Sequence, residues 1–246
     1  MQTILTNNFM EEAIKGKLYS NKANLKFHLD YLFQKVDFAN LKVLDVGGGK
    51  GLLTFYAATK GAKSVICLEP ECDGSSMGMN KEFNDIKFNI SSTMPVELLP
   101  VTLQDYMTTV NKNEFDIIVM HNSINHLNED ACINLLKNKK CYQIYHEIFS
   151  KVYDIMKGGG QLIIADCSNR NLLNDMGIKN FLVPTIEWQK HQMPKTWISL
   201  LKEIGFKKPQ LEWKSPNSFG RMGKVLMSNS FVSYITTSNF KFTMEK

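Results

Sequence analysis

Four short apolar runs, VLDV (43–46), SVICL (64–68), FDIIVM (115–120) and QLIIAD (161–166), constrain the fold more than anything else in this chain. Each is continuous rather than alternating, as expected of strands buried on both faces. Helical patterns lie between them: Leu52 to Thr59, Gly74 to Phe83, and a long stretch from Asn128 to Met156. Strands alternating with helices imply right-handed βαβ units and a parallel sheet. An amphipathic helix is expected ahead of them, from Phe9 to Val36, with Leu25, Leu29, Leu32 and Phe33 on one face. After Asp166 the pattern loosens into residues 168–193, too long for a simple crossover and rich in Asn, Pro and aromatics. Such a loop leaving the carboxyl end of a strand lies where doubly wound sheets bind ligands. A helix from Lys195 to Ile204 ending at Gly205, and strands at Gln210–Trp213 and Phe231–Ile235, are expected to close the fold.

The chain's 246 residues, 43% hydrophobic and 22% charged, exclude disorder, collagen, coiled coil and a disulfide scaffold. A chain this long buries roughly 70–75% of its unfolded surface and needs no staple. The five cysteines (Cys67, Cys72, Cys132, Cys141, Cys167) form no C-x-x-C pair, so reduced thiols and a cytoplasmic setting are expected. Residues 2–12 carry neither a basic n-region nor an apolar h-region, and no run approaches a bilayer's roughly 20 residues. No secretory signal and no membrane insertion are therefore expected. The net charge of +5 is too mild for a dedicated nucleic-acid binder, though it tolerates an anionic partner.

The most informative stretch is VLDVGGGKG (43–51), in which a buried strand enters four glycines and then a helix. Glycine admits positive φ and lets backbone approach a ligand, while the helix start offers unpaired N–H groups. Glu69, at the end of the next strand, can accept hydrogen bonds from ribose hydroxyls. A dinucleotide site prefers G-x-G-x-x-G, but Leu52 stands at the third glycine position. Asp45, two residues before the first glycine, would repel a pyrophosphate and suits a cation such as a methionine α-ammonium. Spacing and charge thus favour S-adenosylmethionine over a nicotinamide cofactor.

At these residues the chain resembles the class I S-adenosylmethionine-dependent methyltransferases. VLDVGGGKG resembles their first motif, which implies cofactor contacts for Asp45, Gly47, Gly48 and Gly49. LEP (68–70) resembles the end of their second strand, implying Glu69 on the ribose with Pro70 beside it. LQDY (103–106) resembles the adenine-side element, implying Asp105 on the exocyclic amine and Tyr106 beside the ring. FDIIVMHNSINHL (115–127) resembles the fourth motif and its turn, adding His121 and Asn122 to the cofactor set, although His121 also suits a satisfied buried histidine. GGGQLIIADC (158–167) resembles the strand after it. The resemblance implies one α/β Rossmann-like, doubly wound domain over 1–246, with a mostly parallel seven-stranded sheet and an antiparallel last strand. Its parts would be an N-terminal helical cap (1–40), a cofactor-binding core (41–167), an acceptor-side lid (168–193) and a closing helix and strands (194–246).

Methyl transfer from a sulfonium needs in-line positioning, and an oxygen acceptor of high pKa also needs a base. Two histidines are catalytic candidates. His126 follows the fourth strand, and His191 lies in IEWQKHQ (186–192), where Glu187, Trp188 and Gln192 could bind a polar, ring-bearing acceptor. His28 and His146 read as solvated or packing residues. HNSIN (121–125) lacks the Asn/Asp-Pro-Pro-aromatic run of base methyltransferases, and Asp166 with Asn169 is too thin for a metal site, so neither nucleic acid nor metal is expected. The segments EWQKHQMPKTW, SLLKEIGF and YITTSNFKFTM resemble bacterial methyltransferases of surface-polysaccharide gene clusters. That likeness implies O-methylation of a small sugar-like, glycan-precursor or phosphate-type acceptor, with S-adenosylhomocysteine as product. Methylation of another small metabolite, a nicotinamide-dependent sugar oxidoreductase and a catalytically silent scaffold remain as alternatives.

Overall fold

The computed structural model describes residues 2–71, 78–214 and 228–246. Its strands are β1 (Lys42–Val46), β2 (Ser64–Leu68), β3 (Val96–Leu99), β4 (Phe115–His121), β5 (Met156–Cys167), β6 (Lys207–Trp213) and β7 (Asn239–Glu245). They form one seven-stranded sheet in the order β3-β2-β1-β4-β5-β7-β6. β1 runs parallel to β2 and β4, β2 parallel to β3, and the last strand, β7, antiparallel to β5 and β6. This is the Rossmann-like arrangement expected from the sequence. The helices are α1 (Gln2–Lys15), α2 (Lys22–Phe33), α3 (Leu52–Thr59), α4 (Met79–Ile90), α5 (Leu103–Tyr106), α6 (Glu129–Ile133), α7 (Lys139–Ile155), α8 (Leu172–Asp175), α9 (Pro194–Ile204) and α10 (Ser230–Ile235).

The backbone clusters into two compact units, one of residues 1–120 and 155–160 and one of residues 121–154 and 161–246. The first holds the glycine loop and its cap. Tyr56 of α3 lies against Phe9, Phe33 and Phe38, with ring centroids 5.6–6.2 Å away. Phe9, Phe38, Phe55, Phe83 and Phe115 are fully buried in this unit. The second unit packs around Trp197, Tyr145 and Phe149 on its helices and Phe240 and Phe242 on β7.

Three expected elements come out differently, each for a local reason. The helix expected from Phe9 to Val36 is two, α1 and α2. Leu18 N–H closes onto Ala13 O at 2.9 Å past Gly16, Lys17 takes φ +55, and the Asn21 side chain caps α2 by accepting from Asn24 N–H at 2.8 Å. The stretch from Asn128 to Met156 breaks into α6 and α7, because the Asn134 and Asn138 side chains bond nearby backbone. The strand expected at Phe231–Ile235 is instead α10, started by Asn229 accepting from Val232 N–H at 3.0 Å. The closing strand is β7, further on, and β3 lies where none of the expected strands was placed. Part of the helix expected at Gly74–Phe83 falls outside the described residues, as does Cys72. Cys67, Cys132, Cys141 and Cys167 are free thiols.

Candidate active site

In the first unit, parallel pairing of Val46 with Leu68 brings the glycine loop and Glu69 out at the same end of β1 and β2. Gly47 and Gly48 N–H groups donate to Leu68 O at 2.8 and 3.3 Å, and Gly49 N–H donates to Glu69 Oε2 at 2.8 Å. Gly47, Gly49 and Gly51 have φ of +69, +55 and +84, the left-handed region where side chains are strained. Gly48 is glycine for space: a Cβ there would meet Cys67 Sγ at 2.5 Å and Asp45 Oδ2 at 2.7 Å. At Gly49 a Cβ would meet nothing nearer, among the described residues, than Met79 Sδ at 3.9 Å, so they leave that face of the loop open.

Asp45 lies beneath this loop, buried, accepting from Thr54 Oγ1 at 2.7 Å. Burial pushes its pKa up to about 6; the Glu69 charge adds to the rise and Thr54's hydrogen bonds oppose it. Asp45 thus braces the loop and loads it with negative potential from below. Thr54, its partner, carries no motif in the sequence and went unrecognised there.

The remaining cofactor candidates are placed as follows. Pro70 follows Glu69 and is half-buried. Asp105 is exposed in a reciprocal cap: Thr102 Oγ1 donates to Asp105 Oδ2 at 2.7 Å, and Asp105 N–H donates back at 3.1 Å. Tyr106 packs on Phe115, and burial pushes its hydroxyl up to about 12. In the second unit, burial and the Lys214 charge push His121 down to about 4, leaving a neutral imidazole at pH 7. Asn122 turns the chain at φ +54, with its N–H on Ala165 O at 2.8 Å. A cavity of about 370 Å³ beside α4 and β3, lined by Phe83, Asn84, Lys87 and Glu97 among others, holds none of these residues.

The two histidine candidates sit in unlike surroundings. His126 is exposed, its Nδ1 2.6 Å from Glu129 Oε1, within a surface network that continues through Lys190 to Glu187. Lys190 draws the Glu129 carboxyl below its usual range, with His126 contributing. His191 is buried, its Nδ1 3.2 Å from Asp166 Oδ1 on the equally buried end of β5. Gln192 is buried with its Nε2 donating to Cys132 O at 2.6 Å, and Trp188 sits half-buried on a short 3-10 turn. Glu187 and Gln192 are therefore occupied by protein partners. Asp166 is the neighbour that sequence reasoning undervalued, because one acid closing an apolar run carries no spacing signal. His28 packs buried against Tyr19. Among the described residues, no cluster of three or more His, Cys, Asp or Glu side chains could hold a metal, and no helix is long and apolar enough to cross a membrane.

A family model described as a methyltransferase domain matches residues 19–211. The chain belongs to this methyltransferase family. No curated protein sequence matches it. Among solved structures, an S-adenosylmethionine-dependent methyltransferase from Archaeoglobus fulgidus superposes with TM-score 0.58 at 14% identity, covering 95% of this chain and 97% of that one. One from Listeria monocytogenes gives TM-score 0.61 at 17% identity, covering 92% and 98%. A third, from Thermotoga maritima and described as a possible histamine N-methyltransferase, gives 0.54 at 15%, covering 96% and 93%. At such identities the superpositions establish the fold.

The methyltransferase's first unit also fits the implied cofactor. The face at Gly49, open among the described residues, admits a ligand against bare backbone, α3 begins beside it without a side-chain cap, and Glu69 places a carboxylate of the kind that hydroxyls bind at the same strand end. Asp45 and Glu69 together give the negative field that a sulfonium and an ammonium want.

Proposed function

We propose that this methyltransferase uses S-adenosylmethionine to methylate a hydroxyl-type oxygen on a small carbohydrate-like acceptor. The observation that carries the cofactor reading is the Gly49–Glu69 contact beside the open glycine face. Gly47, Gly48 and Gly49 would hold the methionine part with Asp45 beneath them, Glu69 the ribose, and the region of Tyr106 the adenine side. When bound, S-adenosylmethionine supplies an electrophilic methyl group and is left as S-adenosylhomocysteine.

Of the two histidines, His191 is the better proton acceptor. Its ring is withdrawn from solvent and faces a carboxylate, whereas the His126 ring is exposed and engaged by Glu129. With Nδ1 toward Asp166, Nε2 is left to take the acceptor's proton. Trp188, half-buried nearby in sequence, offers a ring face for a sugar. The carbohydrate class, including glycan-precursor and phosphate-type acceptors, rests on the likeness of the 187–197, 199–206 and 234–244 segments to methyltransferases of surface-polysaccharide gene clusters.

The test is incubation with methyl-labelled S-adenosylmethionine and a panel of sugar nucleotides and capsule precursors. Label should pass to at least one panel member, and His191→Ala should lower turnover about 100-fold or more, with His126→Ala lowering it less. Intact turnover in both variants would instead favour transfer by positioning alone.

A further inference from the structure

His191 is clamped from both sides. Cys132 Sγ donates to Lys190 O at 3.2 Å, and Gln192 Nε2 donates to Cys132 O at 2.6 Å, so the residues flanking His191 are both tied to α6. Its own N–H reaches Trp188 O at 3.2 Å, closing the 3-10 turn before it. Asp166 is held just as firmly, in β5 opposite Phe240 of β7. Between these two fixed backbones the side chains meet at 3.2 Å, one 10% and the other 1% exposed. The contact falls short of an aligned hydrogen bond, and both Asp166 oxygens and His191 Nδ1 are buried with no hydrogen-bond partner among the described residues.

A buried carboxylate with no hydrogen-bond donor costs stability, and a fold selected for stability alone would replace or satisfy it. The groups facing the pair do not satisfy it. Burial pushes the Cys132 thiol up to about 12 and raises the Tyr145 and Cys167 acids as well, so all three stay protonated at neutral pH. The Tyr145 hydroxyl is spent on Ile124 O at 2.9 Å and the Cys132 thiol on Lys190 O. Glu129 and Lys190 pair with each other in the surface network. Catalytic hydrogen bonds are often long or misaligned until substrate is bound.

We propose that Asp166 is the positioning residue of this enzyme: it orients the His191 ring and keeps the proton on Nδ1, leaving Nε2 to receive the proton of the acceptor. The proposal rests on the reading of His191 as base, and Asp166 itself does not touch the reacting atoms. Losing the carboxylate should leave cofactor and acceptor binding in place while the ring loses its fixed tautomer.

The experiment uses the full chain with 15N-labelled histidine. In the wild type, the His191 ring nitrogens should report the Nδ1–H tautomer; an Nε2–H tautomer overturns the proposal without any assay. In Asp166→Asn, the tautomer should become mixed and kcat should fall about 100-fold. KM should stay within about threefold, since positioning acts on the chemical step. Unchanged kcat, or a lost kcat with the tautomer unaltered, overturns it. Should Asp166→Asn fail to fold, Asp166→Glu keeps the charge and should keep the Nδ1–H tautomer; a mixed tautomer there counts against the proposal. Calorimetry with S-adenosylhomocysteine separates the two readings: no binding sinks the cofactor assignment, while the wild-type tautomer still decides the role of Asp166.

Discussion

Asp45 and Gly48 share one crowded spot beneath the glycine loop, and the crowding makes opposite predictions for the two. Asp45 releases its proton near pH 6 in the folded chain against an ordinary 3.8, so between those values the folded state binds more protons than the unfolded state. Stability must fall as pH rises through that window, and it stays lower above it by about 3 kcal/mol for a two-unit shift. Asp45→Asn keeps an oxygen for Thr54 and removes the charge. It should melt higher than the wild type above pH 6, converge with it below about pH 4, and bind S-adenosylhomocysteine more weakly; parallel melting curves from pH 4 to 8 would refute this. At Gly48 the added methyl of Gly48→Ala meets Cys67 Sγ and Asp45 Oδ2, both of them on buried side chains. Overpacking of this kind costs about 1–3 kcal/mol. Gly158→Ala, with no described residue within 4 Å of the new methyl, should leave the urea midpoint unchanged or slightly raised.

Elements were legible where a periodic apolar pattern decides them and illegible where a single asparagine does. β2 and α3 fall where SVICL and Leu52–Thr59 place them, because burial on both faces leaves few alternatives. The segment FVSYI is rich in aromatic and β-branched residues, yet the Asn229 cap and the close of the turn at Ser238 make it a helix. Asn21, Asn134 and Asn138 likewise punctuate helices that apolar spacing reads as continuous. The site divides along the same line. The glycine loop and Glu69 lie in local motifs, whereas the approach of Asp166 to His191 is a long-range contact that no spacing encodes. Asn171 is the extreme case. Its Nδ2 donates to Tyr234 O, Thr236 O and Ser238 Oγ, and its Oδ1 accepts from Leu173 N–H and Asn180 Nδ2, so one buried amide joins α8 to the connection between α10 and β7. Asn171→Ala strands several of these groups and should cost roughly 2–3 kcal/mol in urea unfolding. Asn171→Asp, which cannot donate and buries a charge, should cost more. A loss under about 0.5 kcal/mol for both would show that the joint is held elsewhere.

At the scale of the molecule, the two compact units share one strand: β5 gives residues 156–160 to the first and 161–167 to the second. Neither unit can lose its part of the sheet without breaking β5, so thermal unfolding should be a single transition although each unit has its own aromatic core. The proposed cofactor contacts of the glycine loop and Glu69 lie wholly in the first unit, which makes ligand linkage a test of this coupling. A ligand present at 100 times its Kd stabilises by about 2.7 kcal/mol, worth roughly 5–10 °C for a chain of this size. S-adenosylhomocysteine should therefore raise the whole transition by that amount, and NADH should not raise it, since Leu52 stands where a dinucleotide loop needs its third glycine and Asp45 sets a negative field against pyrophosphate. Two resolved transitions with only one shifted would place the units in separate folding regimes. A shift with NADH alone would return the chain to nicotinamide chemistry.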